Sequence, residues 1–385
     1  MDQRGHAAPF RPLVGRPTRS SAGWPRDALT SHARRLAVAT QSLLDSRLVT
    51  EPFTWRDGER TIAFGRGRVA EAGDVLGNRF LLLTTERAQG DAPGVAALAA
   101  QVVHVARGQV DALAGELLEM LARPRHGRIV ALGGGRVIDV AKAVASAWEE
   151  EEPGWSERVA AVPTTLSAAQ MTHGHRQAPG RSGPFVRPTT VLDDPALSAS
   201  QPAPELAASA LNALGHAFEA PTTTNANPVS TLAAVEAARL IAGAWRGGDP
   251  DAGGRDALAL GALLSGYALD ASQFGLHHVA AQTLARYAGV GHGQANAIML
   301  PHTTRALARR SPRRIERLAA ALGEDPAAVA AALAARTGAT RLRDVGVGDT
   351  QLEDCAARAA ERPQLALTPP PADRSELLSL YRAAW

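Results

Sequence analysis

Three imidazoles and one amide stand out in this 385-residue chain because they recur on apolar, helix-like stretches where a polar ring needs a reason to be. They are His216 and Asn212 in Asn212-Ala213-Leu214-Gly215-His216, His278 in Gly275-Leu276-His277-His278, and His292 in His292-Gly293. Residues at i and i+4 share one face of a helix, so Asn212 and His216 point the same way. Imidazole exchanges a proton near neutral pH and also suits Fe or Zn as a ligand. The chemistry open to such a set is therefore proton transfer, cation binding, or the structural role of a satisfied core histidine.

A second cluster suits anion binding. Ala131-Leu132-Gly133-Gly134-Gly135-Arg136-Val137-Ile138-Asp139-Val140-Ala141-Lys142 joins an apolar strand to a helix through three glycines. Glycine lets a backbone approach a pyrophosphate closely, and the helix start offers free N–H groups to the anion. Arg136 adds a cation there, and Asp139 and Lys142 follow on the same helix. The spacing departs from the usual G-x-G-x-x-G, so an ordinary tight turn stays open beside a site for NAD or NADP. Thr164 and Thr165 end another apolar strand, Val159-Ala160-Ala161, where doubly wound sheets collect ligands. They read either as cofactor contacts or as a polar strand end. After Leu83-Thr84-Thr85, Glu86 favours a free ribose hydroxyl whereas Arg87 favours a 2′-phosphate, which leaves NAD against NADP undecided.

These residues need a scaffold. Thr61–Gly67, Arg79–Thr85 and Arg128–Leu132 read as strands, alternating with helices over Gln109–Leu121 and Val137–Trp148; that alternation implies a parallel sheet covered on both faces. Beyond Pro204, Ala-rich helical patterns run to the end, with breaks at Gly247-Gly248, Gly253-Gly254 and Gly289. The expected organisation is a disordered leader over 1–30, an amphipathic helix within 31–53, an α/β dinucleotide-binding domain over 54–204 and an all-α catalytic domain over 205–385.

Composition excludes several classes. The net charge is +3 with acids and bases interspersed, which argues against a nucleic-acid partner. No apolar run reaches the roughly 20 residues of a membrane span. Cys355 stands alone, so it forms no internal disulfide and reads as a small buried side chain in a cytoplasmic protein. A homodimer is the default assembly.

From Thr61 to Trp385 the chain resembles the iron-containing alcohol dehydrogenase superfamily, closest to its maleylacetate reductase branch. The ordered motifs are Phe64-Gly65-Arg66-Gly67, the triglycine turn with Asp139 and Lys142, Pro163-Thr164-Thr165, Asn212 to Ala220, Asn225-Ala226-Asn227-Pro228, Gly275 to His278, and His292-Gly293 leading to Leu300-Pro301-His302. The resemblance implies an α/β nucleotide-binding domain followed by a helical one. It also implies a divalent metal held by His216, His278, His292 and an Asp where this chain has Asn212. A neutral amide compensates a cation less, so metal binding is expected to be weak or absent, as the maleylacetate reductase branch is thought to manage without it. Gln282 stands where relatives carry a further histidine. Leu166 to Thr172 replaces a Gly-Ser-Glu-like run.

The expected activity is hydride transfer between NAD(P) and a secondary alcohol or keto group of a small-molecule or peptide substrate. A protonated imidazole, His278 or His292, would manage the proton, with His216 and Asn212 orienting the substrate oxygen. His277 would point elsewhere, His302 would be structural, and His173 and His175 would either enter the cleft or stay on a solvated loop. Three readings of the function stand side by side. One is tailoring of a β-hydroxy acid, such as the C-terminal Thr of a daptide-type ribosomal peptide, with decarboxylation. The others are maleylacetate-like keto acid reduction and a non-catalytic scaffold.

Overall fold

A computed structural model describes residues 52–123 and 127–385. The chain divides into two units, Met1–Leu48 and Val49–Trp385. The first unit, with the leader and the helix expected over Ser31–Leu48, lies outside the described residues.

Seven strands form one sheet: β1 Phe53–Asp57, β2 Arg60–Phe64, β3 Leu81–Thr84, β4 Gln101–His104, β5 Ile129–Gly133, β6 Val159–Pro163 and β7 Thr190–Asp193. Their order across the sheet is β1-β2-β7-β6-β5-β3-β4. All neighbours are parallel except the β1–β2 hairpin, where Phe53 faces Phe64. The inner strands are apolar without interruption because both their faces are covered. Leu81, Leu83, Ile129, Ala131, Val159 and Ala161 pack on α1 (Val110–Met120) and α2 (Gly135–Glu151). The intervening Leu82, Val130, Leu132, Ala160 and Val162 face the other layer, with Leu76, Ala88 and Val95. This is the period-2 alternation of a strand.

The helical part comprises α3 Ala203–Glu219, α4 Pro228–Ala244, α5 Ala252–Ser272, α6 Leu276–Tyr287, α7 His292–Arg310, α8 Pro312–Leu322, α9 Pro326–Ala334, α10 Asp349–Ala360 and α11 Arg374–Ala384. Helix α3 is buried on all sides from Ala210 to Glu219, as expected of a central helix that is apolar all round. Its Leu211, Leu214 and Phe218 share one core with Leu263 of α5, Val279 of α6 and Ile298 of α7. Cys355 is buried in the same core.

Some expectations change. Gly253-Gly254 does not break a helix but opens α5, where the Asp251 side chain accepts the Gly254 N–H at 2.8 Å. Strand β1 begins at Phe53, inside the stretch assigned to the N-terminal helix, and strands β4 and β7 went unread because each has only two apolar residues between polar ends, whereas the equally short β3 begins with three leucines. The Phe64-Gly65-Arg66-Gly67 turn ties the two layers together. Arg66 reaches Asp256 of α5 at 2.6 Å, while Asp194 accepts the N–H groups of Gly67 and Val69 at 3.1 and 3.0 Å.

Candidate active site

Helix termini place the three histidines. His216 lies in the last turn of α3; His277 and His278 lie in the first turn of α6, and His292 is the first residue of α7. The first N–H groups of a helix lack internal partners and carry partial positive charge. Here Glu219, the last residue of α3, supplies the acceptors: Oε1 takes the His277 N–H at 2.6 Å and Oε2 the His278 N–H at 3.4 Å. Glycine makes the joint possible. A Cβ on Gly275 would lie 2.7 Å from Thr368, and one on Gly215 would lie 2.5 Å from His277 Nε2.

The rings follow from this joint. His216 and His278 stack with centroids 4.7 Å apart and planes 21° from parallel, while His277 meets His278 edge-on at 4.7 Å. His278 Nδ1 lies 2.6 Å from Glu219 Oε2. The backbone donors favour the carboxylate form of Glu219, so Nδ1 carries the proton and the lone pair of His278 is on Nε2. That Nε2, His216 Nδ1 and Asn212 Oδ1 are buried without hydrogen-bond partners. The Asn212 amide instead donates to Ser167 O at 3.4 Å. His277 Nδ1 contacts Thr303 Oγ1 at 2.8 Å and belongs to the packing, as expected.

Burial governs the charges. It pushes His278 and His277 down to about 3, with neighbouring imidazoles adding to the effect, and lowers His216 well below its ordinary value. Glu219 is raised by burial against the opposing pull of His277 and the backbone donors. His292 is lowered by the surrounding protein, with Asp139 raising it and Arg176 lowering it further. Its ring is exposed at the cleft wall, so water tempers that effect. The protonated imidazole anticipated from sequence is therefore not the resting form of His278. This ring rests neutral, with the Nε2 lone pair able to accept a hydrogen bond.

A cleft of about 530 Å³ lies between the sheet's carboxyl ends and the helices. One wall carries Gly135, Arg136, Thr165 and Ser167, and the other Asn212 and His292. His216 and His278 are not among its lining residues. The glycines do more than make room for a ligand. A Cβ on Gly134 would lie 3.1 Å from Thr165, and one on Gly135 would lie 2.8 Å from Ser167, so they let the two strand-end turns pack together. A Cβ on Gly133 would meet Val137 at 2.8 Å. The backbone amides that start α2 then open beside the cleft, a cradle that fits the phosphates of a dinucleotide.

The metal fits less well. Among the described residues no three His, Cys, Asp or Glu side chains are arranged to hold a metal ion. His216, His278 and His292 thus do not converge as the ligand set that the resemblance implies, and no step below runs through one.

Other candidates fall outside the cleft. Lys142 is buried and ion-paired with Asp139 at 2.9 Å, with its Nζ also 3.4 Å from Thr172. Thr164 faces a second, small cavity with Gln170 and Asp193. His173 pairs with Asp270 at 2.5 Å, and His175 is held between Arg176 O and the Val186 N–H, so neither replaces the missing loop groups. Gln282 accepts from Arg362 at 3.1 Å. His302 does not line the cleft. The sequence reading missed Glu219 as the partner of His278, although its place three residues after His216 on α3 was visible, and it missed Ser167 and Ser209, which reach the cleft because the loop after β6 packs on α3, the Leu166 N–H donating to Ser209 Oγ at 2.9 Å.

Two family models match this chain: iron-containing alcohol dehydrogenase over residues 59–178, and the C-terminal part of the Fe-containing alcohol dehydrogenase family over residues 206–385. The maleylacetate reductase of Rhizobium sp. (strain MTP-10005) is 29% identical over 87% of this chain and 98% of its own. That of Sphingobium indicum is 31% identical over 82% and 92%. The crystal structure of maleylacetate reductase from Agrobacterium tumefaciens superposes with a TM-score of 0.73 at 28% identity, over 87% of this chain and 99% of that one.

Proposed function

Because the chain belongs to the iron-containing alcohol dehydrogenase family and is an oxidoreductase close to its maleylacetate reductase branch, we propose that it moves a hydride between NAD(P) and a secondary alcohol or keto group. One observation carries this reading. Gly135 and Arg136, at the end of the triglycine turn, form with Thr165 one wall of the same cleft whose other wall holds Asn212 and His292. A bound nicotinamide supplies or accepts the hydride. His292 is placed to exchange the hydroxyl proton with a substrate in the cleft. Asn212 offers its unpartnered carbonyl to that hydroxyl, or its amide N–H to the carbonyl oxygen it becomes. His216 and the His278–Glu219 pair hold the floor behind them rigid, with both imidazoles neutral.

The relatives favour a keto acid of the maleylacetate kind as the first substrate class. The altered loop from Leu166 to Thr172, with Gln282, supports the second reading, tailoring of a β-hydroxy acid such as a peptide C-terminal Thr, whose β-keto acid product loses CO2 readily. With this function goes a cytoplasmic homodimer whose partners are small molecules or peptides. Among the described residues no single helix is long and apolar enough to cross a membrane.

The test is a nicotinamide fluorescence titration followed by cofactor turnover with maleylacetate, simple β-hydroxy acids and peptides ending in Thr. Cofactor binding with turnover of one acid class is expected. No binding of either nucleotide at millimolar concentration would leave the scaffold reading in its place.

A further inference from the structure

Two cations near the carboxyl edge of the sheet, Arg136 and Arg107, have no ion pair among the described residues. Arg136 is the second residue of α2 and lines the cleft; its Nε is buried without a hydrogen-bond partner. Arg107 is exposed three residues beyond the end of β4. Among the described residues neither guanidinium has an ion pair or hydrogen bond to a side chain. The sheet places both on one edge. Strands β5, β3 and β4 are adjacent and parallel, so the turns that follow them, carrying Arg136, Glu86 and Arg107, stand side by side at the carboxyl edge. Burial lowers Arg136 and the charge of Arg107 lowers it further, as for two cations converging on one space.

Unpaired guanidiniums brought together cost energy, and a dianion between them reverses the sign of that interaction. The pyrophosphate common to NAD and NADP already has the N–H groups at the start of α2. Arg107 lies two strands away from that helix, on the side of β3, whose end is the usual place for an adenosine ribose in a doubly wound sheet. Glu86, the acid at the end of β3 that would favour a free ribose hydroxyl, is solvent-exposed at the start of a short helix capped by Thr85.

We propose that Arg136 and Arg107 together form a 2′-phosphate site, which makes the protein specific for NADP(H) over NAD(H). The assignment rests on the dehydrogenase reading above and goes beyond it by choosing the cofactor. Arginine suits the role because its planar fork bonds phosphate oxygens in pairs.

The experiment is a fluorescence titration of the full chain with NADPH and NADH, repeated with Arg107→Ser and Arg136→Ser, and a competition between 2′,5′-ADP and 5′-ADP. Wild type is expected to bind NADPH at least about tenfold more tightly than NADH, the scale of a charge-assisted contact. Each variant should reduce that ratio about tenfold, and 2′,5′-ADP should compete better than 5′-ADP in wild type alone. Arg107 is exposed, so its variant tests the site without disturbing the fold. Equal or tighter binding of NADH by wild type would overturn the assignment while leaving the dehydrogenase reading intact. So would an equal loss of both cofactors in Arg136→Ser with no effect of Arg107→Ser, which would place Arg136 on the pyrophosphate. Binding of neither nucleotide would overturn both.

Discussion

His278 Nδ1 sits 2.6 Å from Glu219 Oε2, and both side chains are buried, His278 at 2% exposure and Glu219 at 0%. The contact joins the end of α3 to the start of α6 and fixes which nitrogen of His278 carries the proton. A carboxylate that also takes the His277 N–H cannot turn away without leaving a buried donor unpaired.

Glu219→Gln keeps one carbonyl oxygen but loses the charge that holds the ring. We expect a loss of about 1.5–3 kcal/mol in stability, the scale of a hydrogen bond to a charged group. Turnover should fall with KM less affected, because the substrate-facing wall of Asn212 and His292 remains. Thermal unfolding and steady-state kinetics check this; a folded variant with wild-type kcat would remove Glu219 from any orienting role.

Gly215→Ala puts a methyl 2.5 Å from His277 Nε2. His277 is wedged between α3 and Thr303 and has no room to yield, so overpacking of about 1–3 kcal/mol should follow. Denaturant melts measure it. A neutral outcome would mean that the α3–α6 joint is looser than these distances say.

Asn212→Asp places an anionic oxygen one turn from His216 on the same face of α3. Zinc or iron retained after purification, measured per chain, should exceed that of wild type because the added charge compensates a cation. Unchanged metal content would show that the imidazoles cannot turn toward a common centre even when the charge is restored.

Asp193 is pushed up to about 7 by burial, against a hydrogen bond from Gln170 and with Asp194 adding to the rise. The ordinary value is 3.8, so between those two pH values the folded chain holds a proton that the unfolded chain has released. Stability should therefore fall as pH rises through this window, by at most about 1.4 kcal/mol per pH unit, and level off above it. Asp193→Asn should flatten the profile. Melting temperatures from pH 4 to 8 would tell, and parallel curves for the two proteins would contradict the buried, protonated acid.

The apolar runs at Leu81–Leu83, Ile129–Leu132 and Val159–Val162 by themselves determined a parallel sheet, because strands buried on both faces have no polar alternation to hide them. The triglycine turn and the Asn212–His216 spacing likewise marked two walls of a site, since backbone permissiveness and the 3.6-residue turn are local properties. Tertiary structure decided what those residues meet. That Gly134 and Gly135 make room for Thr165 and Ser167, that Glu219 grips His278, and that Asn212 and His292 line the cleft while His216 and His278 are buried all depend on contacts across tens of residues. The placement of Arg107 and Arg136 on one sheet edge is the clearest case. Sequence marked Arg136 beside the triglycine turn but not Arg107, and the strand order β5-β3-β4 brings the turns that carry them to one edge, because parallel neighbours send their following turns the same way.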